Sequence, residues 1–144
     1  MTAILGCTLQ AHADVNTAQK IADKYAASAK AIDPSYAGLS ADDGKTFFNR
    51  EVIQFKGDTK NKGKAIACAS CHTSNPADEG RHIVTNKPIR PLSPAVNPKR
   101  FNSVENVEKK FTKHCNEVVG SDCTPQEKGN YIAYVLTETT PSKK

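Results

Sequence analysis

The chain has 144 residues, an apolar fraction of 38%, no Trp and a net charge of +5. This length predicts one domain, and the apolar fraction is low enough to suggest that a bound apolar cofactor completes the core. Lys and Arg are dispersed along the chain, which argues against nucleic-acid binding and favours an acidic protein partner.

The first thirteen residues have features of a truncated export signal. A short apolar run from Ala3 to Leu9 precedes the tripeptide at residues 11–13, which fits the small-x-small pattern of a signal-peptidase site. We therefore predict a signal-peptide remnant over residues 1–13, a mature domain over residues 14–144, and a bacterial periplasmic location. A lipoprotein signal ending at Cys7 is the alternative.

Two helices are predicted in the first third of the chain. Apolar residues recur at helical spacing from Asn16 to Ile32, with Asn16 as the N-cap. Ser40 is expected to cap a shorter helix over Ala41–Arg50. The polar, glycine-containing stretch 56–64 then predicts a loop.

The second half of the chain combines an irregular segment with two more helices. Five of the eight prolines fall within residues 75–98, which predicts either a wrap around a flat ligand or a plain surface loop. Asn102 and Glu105 predict a capping box for the third helix. Thr124 and Glu127 predict another for the fourth. Because no strand is convincing, the predicted class is all-α.

The motif that carries chemistry is C-x-x-C-H at Cys68, Cys71 and His72. This spacing attaches c-type haem, because two thiols reach the two vinyl groups of one porphyrin edge and the next residue brings an imidazole to the iron. A redox dithiol would not need His72, and Cys115 with Cys123 makes a poor second ligand pair for zinc. We therefore predict one covalently attached haem c with His72 as the proximal ligand.

The residues alone leave several candidates for the sixth ligand of the iron. The single methionine is Met1, in the predicted leader, so the candidates are His82, His114, a lysine, an asparagine, or no residue. His114 extends an apolar stripe and should face the interior, where an unpaired imidazole would be costly. The stripe consists of Val104, Val107 and Phe111. His82 lies in a polar stretch and is predicted at the surface, whereas His114 is favoured as a ligand over a hydrogen-bonded core histidine.

Cys115 and Cys123 are predicted to form a disulfide in an oxidising compartment. Closing so short a loop contributes roughly 2–3 kcal/mol by the chain-entropy relation. The bridge would tie the end of the His114 helix to the start of the last helix. Such a tether would let His114 move on and off the iron without unravelling its neighbours.

Four stretches of the sequence carry a family resemblance. They read DGKTFFNR, CASCHTSNP, VNPKRF and FTKHCNEVVGSDCTPQEKGNYIAYVLTET. They resemble cytochrome c″, a family of bacterial monohaem c-type cytochromes, over the whole chain from Asp14. They are also similar to oxygen-binding c-type haem proteins that share the disulfide but use a distal asparagine. His114 stands at that position here, with Asn116 as an alternative ligand.

The resemblance implies a class I cytochrome c fold with an additional N-terminal helix. It also implies that His114 is the distal ligand in the ferric state and leaves the iron on reduction, so that low-spin ferric becomes high-spin ferrous. A freed imidazole has an ordinary pKa of about 6.5 and can take up a proton, which gives a redox-Bohr effect. Three basic residues are candidates to neutralise the haem propionates: Arg90, Lys99 and Arg100.

Three functions follow from these features. The first is an electron carrier, not an enzyme, whose redox partner is an acidic or membrane-associated cytochrome; we expect a monomer that binds no nucleic acid. The second is a protein that binds, senses or detoxifies nitric oxide, oxygen or carbon monoxide at the open ferrous site. The third is a peroxidase-like or nitric-oxide-consuming haem, for which the sequence offers no distal acid–base group beyond His114.

Overall fold

Helices form the framework of the chain in the computed structural model, which describes residues 8–53 and 63–143. In chain order the elements are α1 (Thr8–Ile32), α2 (Ala41–Asn49), α3 (Cys68–His72), β1 (Gly80–Arg81), β2 (Pro88–Ile89), α4 (Val104–Val118) and α5 (Pro125–Thr137). The two short strands pair antiparallel, with Gly80 opposite Ile89. They add a small hairpin to the irregular segment predicted over residues 75–98, and the class remains all-α. Most of the loop predicted at 56–64 lies outside the described residues.

Two of the predicted helix caps form as expected. Ser40 Oγ accepts the backbone N–H of Asp43 at 3.1 Å and begins α2. At the start of α5, Thr124 Oγ1 accepts the N–H of Glu127, and the Glu127 carboxylate accepts the N–H of Thr124 at 2.9 Å. This reciprocal pair is a capping box, which satisfies two amides that have no partner within the helix.

Two other helix starts differ from the prediction. α1 spans Thr8–Ile32, so Asn16 lies within the helix and does not cap it, and no Gly or Pro interrupts the chain between Thr8 and Asn16. α4 is capped by Ser103, whose Oγ accepts the N–H of Asn106 at 3.3 Å, and not by Asn102. The backbone of Ser103 is extended, at φ −154° and ψ 130°, which is the conformation an N-cap requires.

Only part of the predicted leader lies within the residues that the structure describes. Residues 1–7 lie outside the described part of the chain, and the cleavage tripeptide at 11–13 lies along α1. The leader and the domain boundary at Asp14 therefore stay predictions. No helix within the described residues is long and apolar enough to cross a membrane.

The core is built where α1 and α2 pack against α5. A Cβ on Gly44 of α2 would lie 1.9 Å from the backbone oxygen of Asn130 on α5, so these two helices touch through their backbones. The buried residues at these contacts include Ile21, Ala22, Phe48, Ile132 and Val135. α4 adds Val107, Phe111 and Cys115 to the same core. This packing leaves one face of α4 turned toward α3, where the C-x-x-C-H motif lies.

Candidate functional site

The C-x-x-C-H motif forms the short helix α3 and is held in place by its neighbours. Ser70 Oγ accepts the N–H of Ala67 at 3.0 Å at the start of the helix. Thr73, directly after His72, has φ +60°, a conformation that non-glycine residues rarely adopt. Gly80 of β1 packs on the same helix, and a Cβ there would lie 2.2 Å from the carbonyl oxygen of Cys71. A larger residue at Gly80 would therefore displace the motif.

The motif opens onto an apolar cavity between α3 and α4. The empty space between the two helices is about 780 Å³, a volume that includes open solvent at its mouth. Cys68, Cys71 and His72 line it from α3, and His114 lines it from α4. The apolar lining includes Phe47, Phe101, Val107, Phe111, Val118 and Tyr131.

The donors at this cavity fit a c-type haem. Cys68 and Cys71 carry free thiols, as thioether attachment requires. The rings of His72 and His114 are 6.4 Å apart between centroids and perpendicular to each other. Two imidazoles that reach one apolar cavity from different helices match the axial ligand types of haem iron.

Desolvation at the cavity disfavours the protonated form of both imidazoles. It lowers the pKa of His72 to about 3, and the positive charge of Arg100 acts in the same direction. Burial also lowers the pKa of His114, although the Glu117 carboxylate, 3.5 Å from its Nδ1, opposes the shift. Neutral imidazole is the form that binds metal, so the site favours coordination over protonation. Burial raises the pKa of the Cys68 thiol to about 11.

His114 lies at the cavity wall rather than deep in the core. Its side chain is 47% exposed, whereas the sequence predicted burial along its stripe. The stripe is shifted, because Val104 is 39% exposed and the buried members are Val107, Phe111 and Cys115. The face of α4 that carries His114 therefore borders the cavity and not the packed interior.

The predicted disulfide between Cys115 and Cys123 is present. Their Cα atoms are 5.7 Å apart, and both residues are buried. α4 ends next to this bridge, where the amides of Val119 and Gly120 both donate to the carbonyl of Cys115. Gly120 has φ +86°, which a glycine adopts without strain at a helix end. The residue directly before this cross-link is His114.

Of the three predicted propionate partners, only Arg100 reaches the cavity. Arg90 and Lys99 are exposed and lie outside its lining. The sequence reading missed Lys110 and Tyr131, which do line it. Lys110 carried a usable signal, since it precedes His114 by four residues on one helix and so shares its face.

Two of the alternative ligands, His82 and Asn116, do not reach the cavity, whereas Lys110 lines it. His82 lies in the β1–β2 turn, where its Nδ1 accepts the amides of Val84 and Thr85. Asn116 is exposed, and its side-chain amide donates to the carbonyl of Thr112 at 2.7 Å. Among the described candidates, His114 is favoured as the second ligand because its ring pairs with that of His72 across the cavity.

Known proteins resemble this chain over most of its length. The family described as "Domain of unknown function (DUF1924)" matches residues 34–135. Cytochrome c″ from Methylophilus methylotrophus is 52% identical over 143 residues, which cover 98% of this chain and 95% of that protein. The cytochrome c-type protein SHP from Cereibacter sphaeroides is 33% identical over 125 residues, or 87% of this chain and 86% of that protein.

Solved structures agree with the sequence comparison. The crystal structure of oxidised Methylophilus methylotrophus cytochrome c″ matches with a TM-score of 0.79 at 52% identity, covering 89% of this chain and 99% of that one. The structure of oxidised SHP, described as an oxygen-binding cytochrome c, matches with a TM-score of 0.69 at 31% identity, covering 83% of this chain and 96% of that one. These matches confirm the predicted fold and a c-type haem as the cofactor.

Proposed function

The chain belongs to the cytochrome c″ family, and from that premise we propose that it is a periplasmic electron carrier whose reduction releases and protonates His114. The observation that carries the proposal is the pairing of His72 and His114 at one cavity, beside two free thiols. The solution structure of Methylophilus methylotrophus cytochrome c″ was described in terms of haem-ligand detachment. That description supports the same behaviour here.

Each site residue has a distinct role in this proposal. Cys68 and Cys71 hold the haem through thioethers, His72 is the proximal ligand and His114 is the distal ligand of the ferric state. The haem supplies a one-electron couple when bound. Cys115, through its disulfide, keeps the backbone beside His114 attached to the rest of the fold.

His114 is better placed to leave than His72. His72 follows two covalently attached cysteines, and Gly80 and Thr73 fix the backbone on either side of it. His114 is held through α4 and the disulfide, and its side chain already borders solvent. Loss of one positive charge on reduction would weaken the attraction of a bound haem iron for imidazole, so the less constrained ligand, His114, would leave.

A carboxylate lies close enough to His114 to pair with the freed imidazole. Glu117 lies 3.5 Å from its Nδ1 and stabilises the protonated ring, while burial and nearby positive charges oppose protonation. The charged and titratable groups that act on His114 come from α4, α3 and the turn before α4: Glu117, Lys110, Lys113, His72 and Arg100. Movement of His114 out of the cavity removes its desolvation, so release and proton uptake support each other.

Electron transfer does not make or break a bond of a substrate, and the basic surface beside the cavity suits a protein partner. Arg100 and Lys110 line the cavity, and Lys113 lies one turn further along α4. We propose an acidic or membrane-associated cytochrome as the partner, with association fastest at low ionic strength. Export is supported by the leader-like segment and by the haem attachment motif.

Optical spectra of the ferric and dithionite-reduced protein, with and without carbon monoxide, test the proposal. We expect a low-spin ferric form that becomes high-spin on reduction and then binds carbon monoxide at once. His114→Ala should make the ferric form high-spin, whereas the matched variant His82→Ala should leave it unchanged. Reduced protein that stays low-spin and ignores carbon monoxide would show that His114 remains bound. Ferric protein that is already high-spin would show that His114 is not a ligand.

Small-gas binding is the second candidate function. It is favoured by the solvent-facing mouth of the cavity and by the similarity to SHP, an oxygen-binding cytochrome c. Rapid turnover of nitric oxide or oxygen by the reduced protein would favour this function. Slow gas chemistry together with a pH-dependent potential would favour the electron carrier.

A further inference from the structure

Lys128 of α5 is a buried lysine that the proposed mechanism does not use. Its side chain is only 9% exposed. The Nζ atom lies 3.6 Å from Glu108 Oε2 and 3.3 Å from Asp122 Oδ1. It also lies 5.8 Å from the ring centroids of both Tyr25 and Phe111. Lysine is almost never this buried unless it is paired, so this arrangement is built around its charge.

The two carboxylates lie on either side of His114 in the chain. Glu108 precedes it on α4, and Asp122 follows it in the loop closed by the disulfide. Asp122 Oδ1 also accepts the backbone N–H of Cys123 at 2.9 Å. Cys123 is bridged to Cys115, the residue next to His114. We call residues 108–122 the His114 segment. A single ammonium group therefore attaches both ends of this segment to α5.

The same lysine also supports the cavity wall. Phe111 lines the cavity on one side and faces the ammonium of Lys128 on the other. Phe111 precedes His114 by three residues on α4, so the two side chains share a helix face. A shift of α4 away from α5 would thus move the wall and His114 together.

We propose that Lys128 is a positioning residue that holds the His114 segment at the distance from which the imidazole reaches the iron. The inference rests on the proposed function, because it takes His114 as the distal ligand. Lys128 does not itself line the cavity, and it acts on His114 through Glu108, Asp122 and Phe111.

The test is the rate at which cyanide replaces His114 in the ferric, haem-loaded protein. At saturating cyanide this rate is set by dissociation of the imidazole. Lys128→Met keeps an unbranched apolar chain against Tyr25 and Phe111, and it removes the charge. We expect it to raise the exchange rate about tenfold, which corresponds to about 1.4 kcal/mol. Lys128→Arg should restore a rate close to that of the unaltered protein, because the cation remains.

The matched control is Lys109→Met. Lys109 lies on α4, and its ion pair with Glu105 is exposed on both sides, so this variant should exchange at the rate of the unaltered protein. Asp122→Asn is a second test at a side chain that is 58% exposed, where folding is not at risk. It removes the charge of one of the two carboxylates that pair with Lys128 and should raise the cyanide exchange rate by a smaller factor.

Each result decides the question. A Lys128→Met protein that unfolds more easily but exchanges at the unaltered rate would overturn the proposal, because Lys128 would then serve only stability. An unchanged rate in Asp122→Asn would overturn it even if Lys128→Met failed to retain haem. If the unaltered ferric protein has no low-spin spectrum, the distal role of His114 fails and this inference fails with it. If the ferric protein is low-spin and the variants exchange cyanide at the unaltered rate, only the proposed role of Lys128 is refuted.

Discussion

Opening the Cys115–Cys123 bridge should destabilise the protein by an amount that follows from its loop length. The perturbation is the double variant Cys115→Ala with Cys123→Ala. The bridge spans a sequence separation of 8, for which the chain-entropy relation gives about 2.5 kcal/mol at room temperature. Both sulfur atoms belong to buried residues, so lost packing adds to this value.

Guanidinium unfolding of the ferric holoprotein, followed by far-UV circular dichroism, measures the effect. For a domain of this size, 2.5 kcal/mol corresponds to a fall in Tm of about 10 °C. The unaltered protein, kept in the ferrous state and unfolded with and without a dithiol reductant, is the control, because the dithiol then opens the bridge without removing side-chain packing or changing the iron. A loss below about 1 kcal/mol in both experiments would refute the reasoning. The loop would then stay nearly closed in the unfolded chain without its covalent bridge.

Three further outcomes are expected. Gly44→Ala should destabilise the fold by about 2 kcal/mol in urea unfolding, because the clash of its Cβ with the Asn130 oxygen outweighs the helix-propensity gain; equal or greater stability would contradict the contact. Thr124→Ala should lower the unfolding free energy by about 1 kcal/mol, since it removes the cap of α5. In potentiometric titration the potential should fall as pH rises, by up to about 59 mV per unit. Release from the cavity removes the desolvation that lowers the pKa of His114. The slope should therefore lie on the acid side of the ordinary imidazole pKa of about 6.5, level off above it and be absent in His114→Ala.

Local signals predicted much of the fold, because they involve residues close together in the chain. The capping box of Thr124 and Glu127 is complete within four residues, so it forms whatever packs around it. The cap of α4 was misplaced by one residue because Asn102 and Ser103 are both good cap residues. The choice between them depends on which backbone is extended, and the preceding turn sets that.

The parts of the site that could be predicted are those in which covalent chemistry sets the spacing of the residues. The parts that could not be predicted are those in which tertiary packing determines which residues come together. The motif and His114 could be found from the sequence, since one has a fixed pattern and the other lies on an apolar helix face. Which of Arg90, Lys99 and Arg100 reaches the cavity depends on how the proline-rich segment turns before α4. Lys128 reads as an ordinary surface lysine, because its partners come from three elements that meet only in the folded chain.

The two sides of the cavity differ in how firmly the chain holds them, and this difference bears on the proposed mechanism. Beyond His72, the backbone is tied to α5 by the Tyr134 hydroxyl, which donates to the carbonyl of Ser74 at 2.9 Å. Asn75 adds a tie to the C-terminal segment through the carbonyl of Thr140. The His114 segment is anchored near its ends by the disulfide and by the ion pairs of Lys128 with Glu108 and Asp122. The imidazole of His114 itself is half exposed. Under the proposed mechanism, a change in iron charge would act on both imidazoles alike, so the fold and not the metal would decide which one moves.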